Sequence, residues 1–201
     1  MKERPILFSA DMVKAILEGK KTQTRRVMKP QPDNELTKYS LNGAINWRDE
    51  SSNLGEYPYG NYTGCPYGQV GDRLWVRETY WQDQSGGLWG YKAGGIEWPP
   101  SNCGGKAKPS IHMPRWASRI NLEITGIRVE RLQEITEIDA LNEGAEAWYK
   151  TAPNTYGAGY IWDSKGHIMG FARLWNSINK PPYDWGSNPF VWVIEFKRYE
   201  Q

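Results

Sequence analysis

Histidine and cysteine are scarce, with two of each among 201 residues, and phenylalanine occurs only four times. The histidines, His112 and His167, stand far apart with no companion motif. Cys65 and Cys103 sit in separate loop-like stretches and form no C-x-x-C pair, so a zinc-ligand set is unsupported. One disulfide is compatible with the count, but two free thiols in a cytoplasmic protein is the simpler expectation. No apolar run approaches the roughly 18 residues needed to span a bilayer, which argues against membrane insertion. The opening Met1-Lys2-Glu3-Arg4-Pro5 has no apolar stretch of signal-peptide type. Nucleophile-elbow, phosphate-loop and H-E-x-x-H motifs are all missing. No cofactor or metal is called for.

The charge excess is small, +2 overall, but unevenly spread. Residues 1–30 carry Lys2, Arg4, Lys14, Lys20, Lys21, Arg25, Arg26 and Lys29 against Glu3, Asp11 and Glu18, which is +5 and leaves −3 for the remainder. A basic end suits an anionic partner such as nucleic acid; the competing reading is a solvated basic helix end. What the chain has in abundance is tryptophan, 11 residues. Trp47, Trp81, Trp89 and Trp98 lie in or beside loops, where flat rings can stack on bases or fill gaps in irregular structure. Trp75, Trp175 and Trp192 sit in apolar periodic contexts and read as core.

Ile6-Leu7-Phe8 reads as a short buried strand. Ser9 then caps a helix from Asp11 to Glu18, with Met12, Val13, Ile16 and Leu17 on one face and Gly19 as its C′ residue. Lys20 to Val27 alternates like a strand with a polar face. Residues 30–70 form an irregular excursion that has room for a short hairpin. Arg73 to Thr79 is a strand, with a weaker one at Trp89–Ala93. Ala117 to Arg131 is the longest strand-like stretch, bent at Gly126. Thr136, with Asp139 in the capping-box position, starts a helix expected to run to about Tyr149. A further helix spans Gly170 to Ile178, and Phe190 to Lys197 closes the chain as a strand. Strands outnumber helices, which points to an α+β fold with a mixed, partly closed sheet.

Four segments in order resemble the ASCH family of the PUA-like superfamily. Pro5-Ile6-Leu7-Phe8 with the helix and Gly19-Lys20-Lys21-Thr22-Gln23-Thr24-Arg25-Arg26 is similar to its G-x-K-T-x-T-x-R signature. Gly71-Asp72-Arg73-Leu74-Trp75-Val76-Arg77-Glu78 is similar to its G-D-x-L-x-V strand, Asp139-Ala140-Leu141-Asn142-Glu143-Gly144 to its helix motif, and Val193-Ile194-Glu195-Phe196 to its closing strand. The pattern looks most like the elaborated members found in bacteria and their phages. The resemblance implies a single PUA-like domain over 1–201: a partly closed β-barrel with flanking helices and irregular insertions at about 30–70 and 80–115. It also implies RNA or a modified nucleoside as partner.

A branch of the family hydrolyses the amide of N4-acetylcytidine, and its Lys, Thr and Glu fall here on Lys21, Thr24 and Glu143. Lys20, Arg25, Arg26, Arg77, Glu78 and Trp81 are the accompanying candidates for nucleoside or nucleic-acid contact. Amide hydrolysis needs a nucleophile, a base and an oxyanion donor. A lysine base must fall from about 10.4 toward about 7–8, roughly 4 kcal/mol, through burial or adjacent cations. Glu143 would oppose that fall, so the base is not assigned by residue type alone. Lys21 and Thr24 are three apart and face opposite sides of a regular strand unless Lys21 lies on the preceding turn. A non-catalytic RNA-binding module and a ribonuclease are the alternative functions. The oligomeric state is left open.

Overall fold

The computed structural model describes residues 1–32, 36–41, 44–49, 63–82, 85, 87–94, 106–148 and 166–199. In chain order these form β1 (Glu3–Leu7), α1 (Ala10–Leu17), β2 (Gln23–Val27), β3 (Leu36–Leu41), β4 (Ala44–Asp49), β5 (Thr63–Gly64), β6 (Arg73–Arg77), β7 (Tyr80–Gln82), β8 (Leu88–Tyr91), β9 (Lys106–Lys108), β10 (Asn121–Arg131), α2 (Glu137–Asn142), α3 (Gly166–Ile178) and β11 (Phe190–Tyr199). The class is α+β, as expected. The main sheet has the order β1-β6-β10-β11-β2 and is mixed: β1 runs parallel to β6, and β10 antiparallel to it. Two further three-stranded sheets have the orders β3-β4-β5 and β8-β7-β9.

The chain gathers into two compact units, each assembled from separate segments. The first comprises Met1–Gly19, Cys65–Ile127 and Glu195–Gln201. Within it Ser9 caps α1 by accepting a hydrogen bond from the Met12 N–H, and the helix buries Val13 and Ile16. Gly19 closes α1 at φ +72, a conformation that costs a side-chain-bearing residue more. Alternation along the strands buries Ile6, Leu74, Val76, Leu122, Ile124 and Phe196. The odd-numbered residues between them remain accessible. A smaller cluster of Tyr80, Met113 and Ala117 packs with Tyr91.

The second unit comprises Lys20–Gly64 and Arg128–Ile194. Its core is Leu132, Ile135, Ala140, Ala145, Phe171, Trp175, Val191 and Val193, with Val27, Ile168 and Trp185 against it. Thr136 and Asp139 form the expected capping box at the start of α2. The helix, however, ends at Asn142 rather than near Tyr149. Glu143 caps it and Gly144 follows at φ +75, where the chain leaves the helix in the left-handed conformation. Helix α3 begins at Gly166, four residues earlier than its periodicity suggests. Glu137 explains the early start, because its carboxylate accepts from the His167 and Ile168 backbone N–H groups at 2.6 and 3.2 Å, satisfying donors that a helix leaves free at its N-terminus.

Trp175 and Trp192 are core residues, as their context predicts. Trp75 is not. It lies on the accessible face of β6, beneath the guanidiniums of Arg77 and Arg115 at 5.4 and 5.9 Å. Its apolar neighbours Leu74 and Val76 point the other way, and strand alternation rather than local hydrophobicity decides its environment. Trp98 and Cys103 lie outside the described residues, as do the side chains of Trp47 and Trp89.

Candidate functional site

The second unit brings Lys21 and Glu143 together across 122 positions of sequence. Two backbone features position them. The Thr22 N–H donates to the Asn142 carbonyl at 2.8 Å, which fastens the segment after Gly19 to the end of α2. The Glu143 N–H returns to the Asp139 carbonyl at 2.9 Å, fixing the cap from which its side chain projects. Lys21 Nζ then donates to Glu143 Oε2 at 2.6 Å and to the Glu143 main-chain carbonyl at 2.8 Å. Arg25 Nη1 holds the other carboxylate oxygen, Oε1, at 3.1 Å. Both oxygens are thus engaged, and the carboxylate has a fixed orientation.

A wider network surrounds this pair. Arg25 also binds Glu130 through Nε at 3.0 Å and through Nη2, and its Nη2 lies 3.6 Å from Asp139 Oδ2. Its guanidinium stands over the Phe171 ring at 5.8 Å. Arg128 joins Glu130 and Asp139 at 2.9 and 3.0 Å. Gln23 Nε2 donates to Asp139 through its carbonyl and its Oδ1. Three cations (Lys21, Arg25, Arg128) therefore meet three carboxylates (Glu130, Asp139, Glu143) in a balanced cluster. Lys21 and Arg25 have side chains that are 0% exposed. Charges removed from water so completely require partners of this kind.

Burial pushes the Lys21 ammonium below its ordinary pKa, Glu143 works against that fall, and the positive charges of Arg26 and Arg25 reinforce it. Burial acts to raise the Asp139 pKa, but hydrogen bonds from Thr136 and Gln23 and the charge of Arg25 hold its carboxyl below the usual carboxylate range.

The other candidate residues are distributed differently. Thr24 is buried in β2 between Gln23 and Arg25. Both of those reach Asp139, so pleating turns Thr24 to the opposite face of the strand. Among the described residues its hydroxyl makes no hydrogen bond. Lys20 is exposed and Arg26 half-buried. Arg77, Glu78 and Trp81 belong to the first unit. Arg77 donates to the carbonyls of Met113, at 3.1 Å, and Ile111. Glu78 is buried and receives two hydrogen bonds from Arg119, at 2.9 and 3.1 Å. Trp81 is 3% exposed, so its ring presents no open face for stacking.

The expectation of a basic surface at the N-terminal end also needs correction. Two of its eight cations, Lys21 and Arg25, are interior and neutralised by residues more than 100 positions away. The sequence reading missed Gln23, Arg128, Glu130 and Asp139 as members of the cluster. Arg128 and Glu130 did carry a signal: two apart on one strand, they share a face opposite Val129.

No protein-family model matches the chain, and no curated protein matches it. A search of solved structures returns the high-resolution crystal structure of an ASCH domain from Lactobacillus crispatus JV V101. The chain is similar to that domain. The match covers 98% of this chain and 79% of the other, at 15% identity and a TM-score of 0.37. A likeness at that level carries no argument about the site. No helix among the described residues is long and apolar enough to cross a membrane.

Proposed function

We propose that residues 1–201 form a single ASCH/PUA-like domain that handles RNA or a nucleoside, and that the Lys21–Glu143 pair is the reactive centre of an amidohydrolase acting on N4-acetylcytidine-like nucleosides. The observation that carries the reading is a lysine fully withdrawn from water, shifted toward its neutral form, and aimed at an oriented carboxylate. An amine shifted in this direction gives up its proton more readily than an exposed lysine, which is the change a general base requires. In the proposed reaction, the oxygen of the nucleophile bonds to the acyl carbon and gives its proton to the Lys21 amine. The proton passes to the departing N4 nitrogen as the C–N bond breaks. Hydrolysis then leaves acetate and cytidine. Glu143 holds and orients Lys21. The nucleophile is the Thr24 hydroxyl or a water, and the position of Thr24 between two Asp139-facing residues favours water.

The test is acetate release from N4-acetylcytidine by the purified chain. Turnover is expected to fall at least about a hundredfold in Lys21→Ala, in keeping with the loss of a general base, and to persist in Thr24→Ala if water attacks. The rate is expected to rise with pH as Lys21 loses its proton. No acetate release from the intact, folded chain at any pH would refute the assignment. One observation favours a non-catalytic RNA-binding role instead: the Lys21 side chain has no exposure, so substrate reaches it only after the surrounding residues move.

A further inference from the structure

The Lys21–Glu143 pair depends on a residue that takes no part in the proposed reaction. A carboxylate has two equivalent oxygens on a rotatable stem, so an amine alone does not fix which oxygen it meets. Arg25 Nη1 takes Glu143 Oε1 at 3.1 Å, which leaves Oε2 turned to the Lys21 amine at 2.6 Å. Arg25 and Lys21 thus hold one carboxylate from two sides.

Arg25 is itself immobilised. Its Nε and Nη2 both donate to Glu130 Oε1, the former at 3.0 Å, and Nη2 lies 3.6 Å from Asp139 Oδ2. The Phe171 ring stands against the guanidinium, its centre 5.8 Å from Cζ. A planar fork held in this way keeps a single orientation. Its anchors are fixed in turn, Glu130 and Asp139 by Arg128 and Asp139 also by Thr136 and Gln23. One carboxylate suffices to neutralise a buried arginine. Arg25 meets three, and so ties the orientation of Glu143 to β10 and α2. Its side chain is 0% exposed, which leaves no face open to a substrate.

We infer that Arg25 is a positioning residue of the Lys21–Glu143 centre: it contacts no substrate, and it holds the Glu143 carboxylate with one oxygen aimed at the Lys21 amine. Its place in the sequence makes it a candidate for nucleoside contact; its burial and partners assign it to support of the centre instead. Its charge acts in the direction a general base requires. Burial lowers the Lys21 pKa, Glu143 opposes that fall, and Arg26 and Arg25 reinforce it. The kinetic consequences rest on the amidohydrolase reading, whereas the effect on Lys21 does not.

The experiment uses the full chain and reads Lys21 first. A pH titration by ¹³C NMR follows its side chain, with Lys21→Arg identifying the signal. Among the described residues, the charged groups nearest Lys21 are Glu143 at the end of α2 and Arg25 and Arg26 on β2. Glu130 and Arg128 on β10 and Asp139 on α2 lie one contact further. Arg25→Gln leaves Glu143 less opposed, so Lys21 is expected to lose its proton at higher pH than in the native chain. Arg25→Lys keeps the charge and is expected to return the midpoint toward the native one. The second readout is acetate release. Arg25→Lys is expected to lower kcat roughly ten- to a hundredfold with little change in KM, as misplacing a group by about 1 Å does.

An unchanged or lower Lys21 midpoint in Arg25→Gln would overturn the inference. So would a raised KM at native kcat in Arg25→Lys, the mark of an arginine that binds substrate. If Arg25→Gln does not fold, the native chain still decides. Its Arg25 Nη nitrogens are expected to give separate NMR signals, because a guanidinium held by three carboxylates does not rotate, and one averaged signal would refute the positioning role. A native chain that releases no acetate removes the amidohydrolase reading alone, and the titration still tests Arg25. Turnover with native kcat in Arg25→Lys removes the positioning role alone.

Discussion

Replacing Glu143 with glutamine tests the central feature of the second unit. The cluster holds three cations and three carboxylates, so the substitution leaves one positive charge in excess. Lys21 keeps the Glu143 main-chain carbonyl at 2.8 Å, and the glutamine oxygen replaces one acceptor, but the opposing charge is gone. Arg25 keeps Glu130 and Asp139. Breaking a buried ion pair from one side costs about 3–5 kcal/mol. With the retained hydrogen bonds, a loss of about 3 kcal/mol is expected at neutral pH, which for a chain of this size corresponds to a fall in Tm of roughly 6–12 °C. Urea unfolding followed by tryptophan fluorescence measures it.

The same variant has a pH signature whose sign is fixed. Glu143 is the main influence keeping Lys21 protonated. Without it the folded-state pKa falls further, while the unfolded lysine stays near about 10.4. Between those values the unfolded chain binds more protons, so stability rises with pH. The rise begins at lower pH in the variant than in the native chain. The stability gap between the two therefore narrows as pH increases through the variant's folded pKa. A loss below about 0.5 kcal/mol, the range of an exposed pair, or a gap constant with pH, would show that Lys21 and Glu143 are not a desolvated, coupled pair.

Three further outcomes concern Asp139, Gly170 and Cys65. Asp139, held below its ordinary value of 3.8, contributes stability that is present above that pH and lost as pH falls through its folded pKa; Asp139→Asn is expected to flatten the acid limb of a stability-versus-pH curve. Gly170→Ala is expected to destabilise the chain by about 1–3 kcal/mol in urea, because a Cβ there overlaps the Glu146 carbonyl oxygen, a backbone atom that cannot swing away, and this outweighs the roughly 1 kcal/mol gained in helix propensity. Burial pushes the Cys65 thiol up to about 11, so peptide mapping after iodoacetamide treatment is expected to find Cys65 unmodified at neutral pH and alkylated only as pH approaches that value.

Local chemistry made much of the architecture legible. Ser9 and Gly19 bracket α1, and Thr136 with Asp139 starts α2, because capping depends on residues a few positions apart. The α+β class followed from the order of periodic segments. Helix-favouring residues continue beyond Gly144 and suggest a longer α2, whereas the left-handed glycine stops the helix at Asn142. The cluster was only partly visible. Lys21 and Glu143 came from motif resemblance, whereas Glu130 and Arg128 entered through the pairing of distant segments, which no local pattern in the chain encodes.

Charge counting overstates the basic surface for a related reason, since two of the eight cations are interior. The excess of eight cations over three anions in residues 1–30 looks like a binding surface only while each side chain is taken to face water. Lys21 and Arg25 sit in strand-like alternation with Gln23, and that alternation turns all three toward carboxylates supplied by β10 and α2. Arg73 and Arg77, by contrast, are half-buried on β6: Arg73 lies between Glu3 and Glu123 in register and over the Tyr199 ring, and Arg77 donates to the Met113 and Ile111 carbonyls. What commits Lys21 and Arg25 to the fold is therefore the carboxylate that the fold brings to each, not the number of cations nearby in sequence.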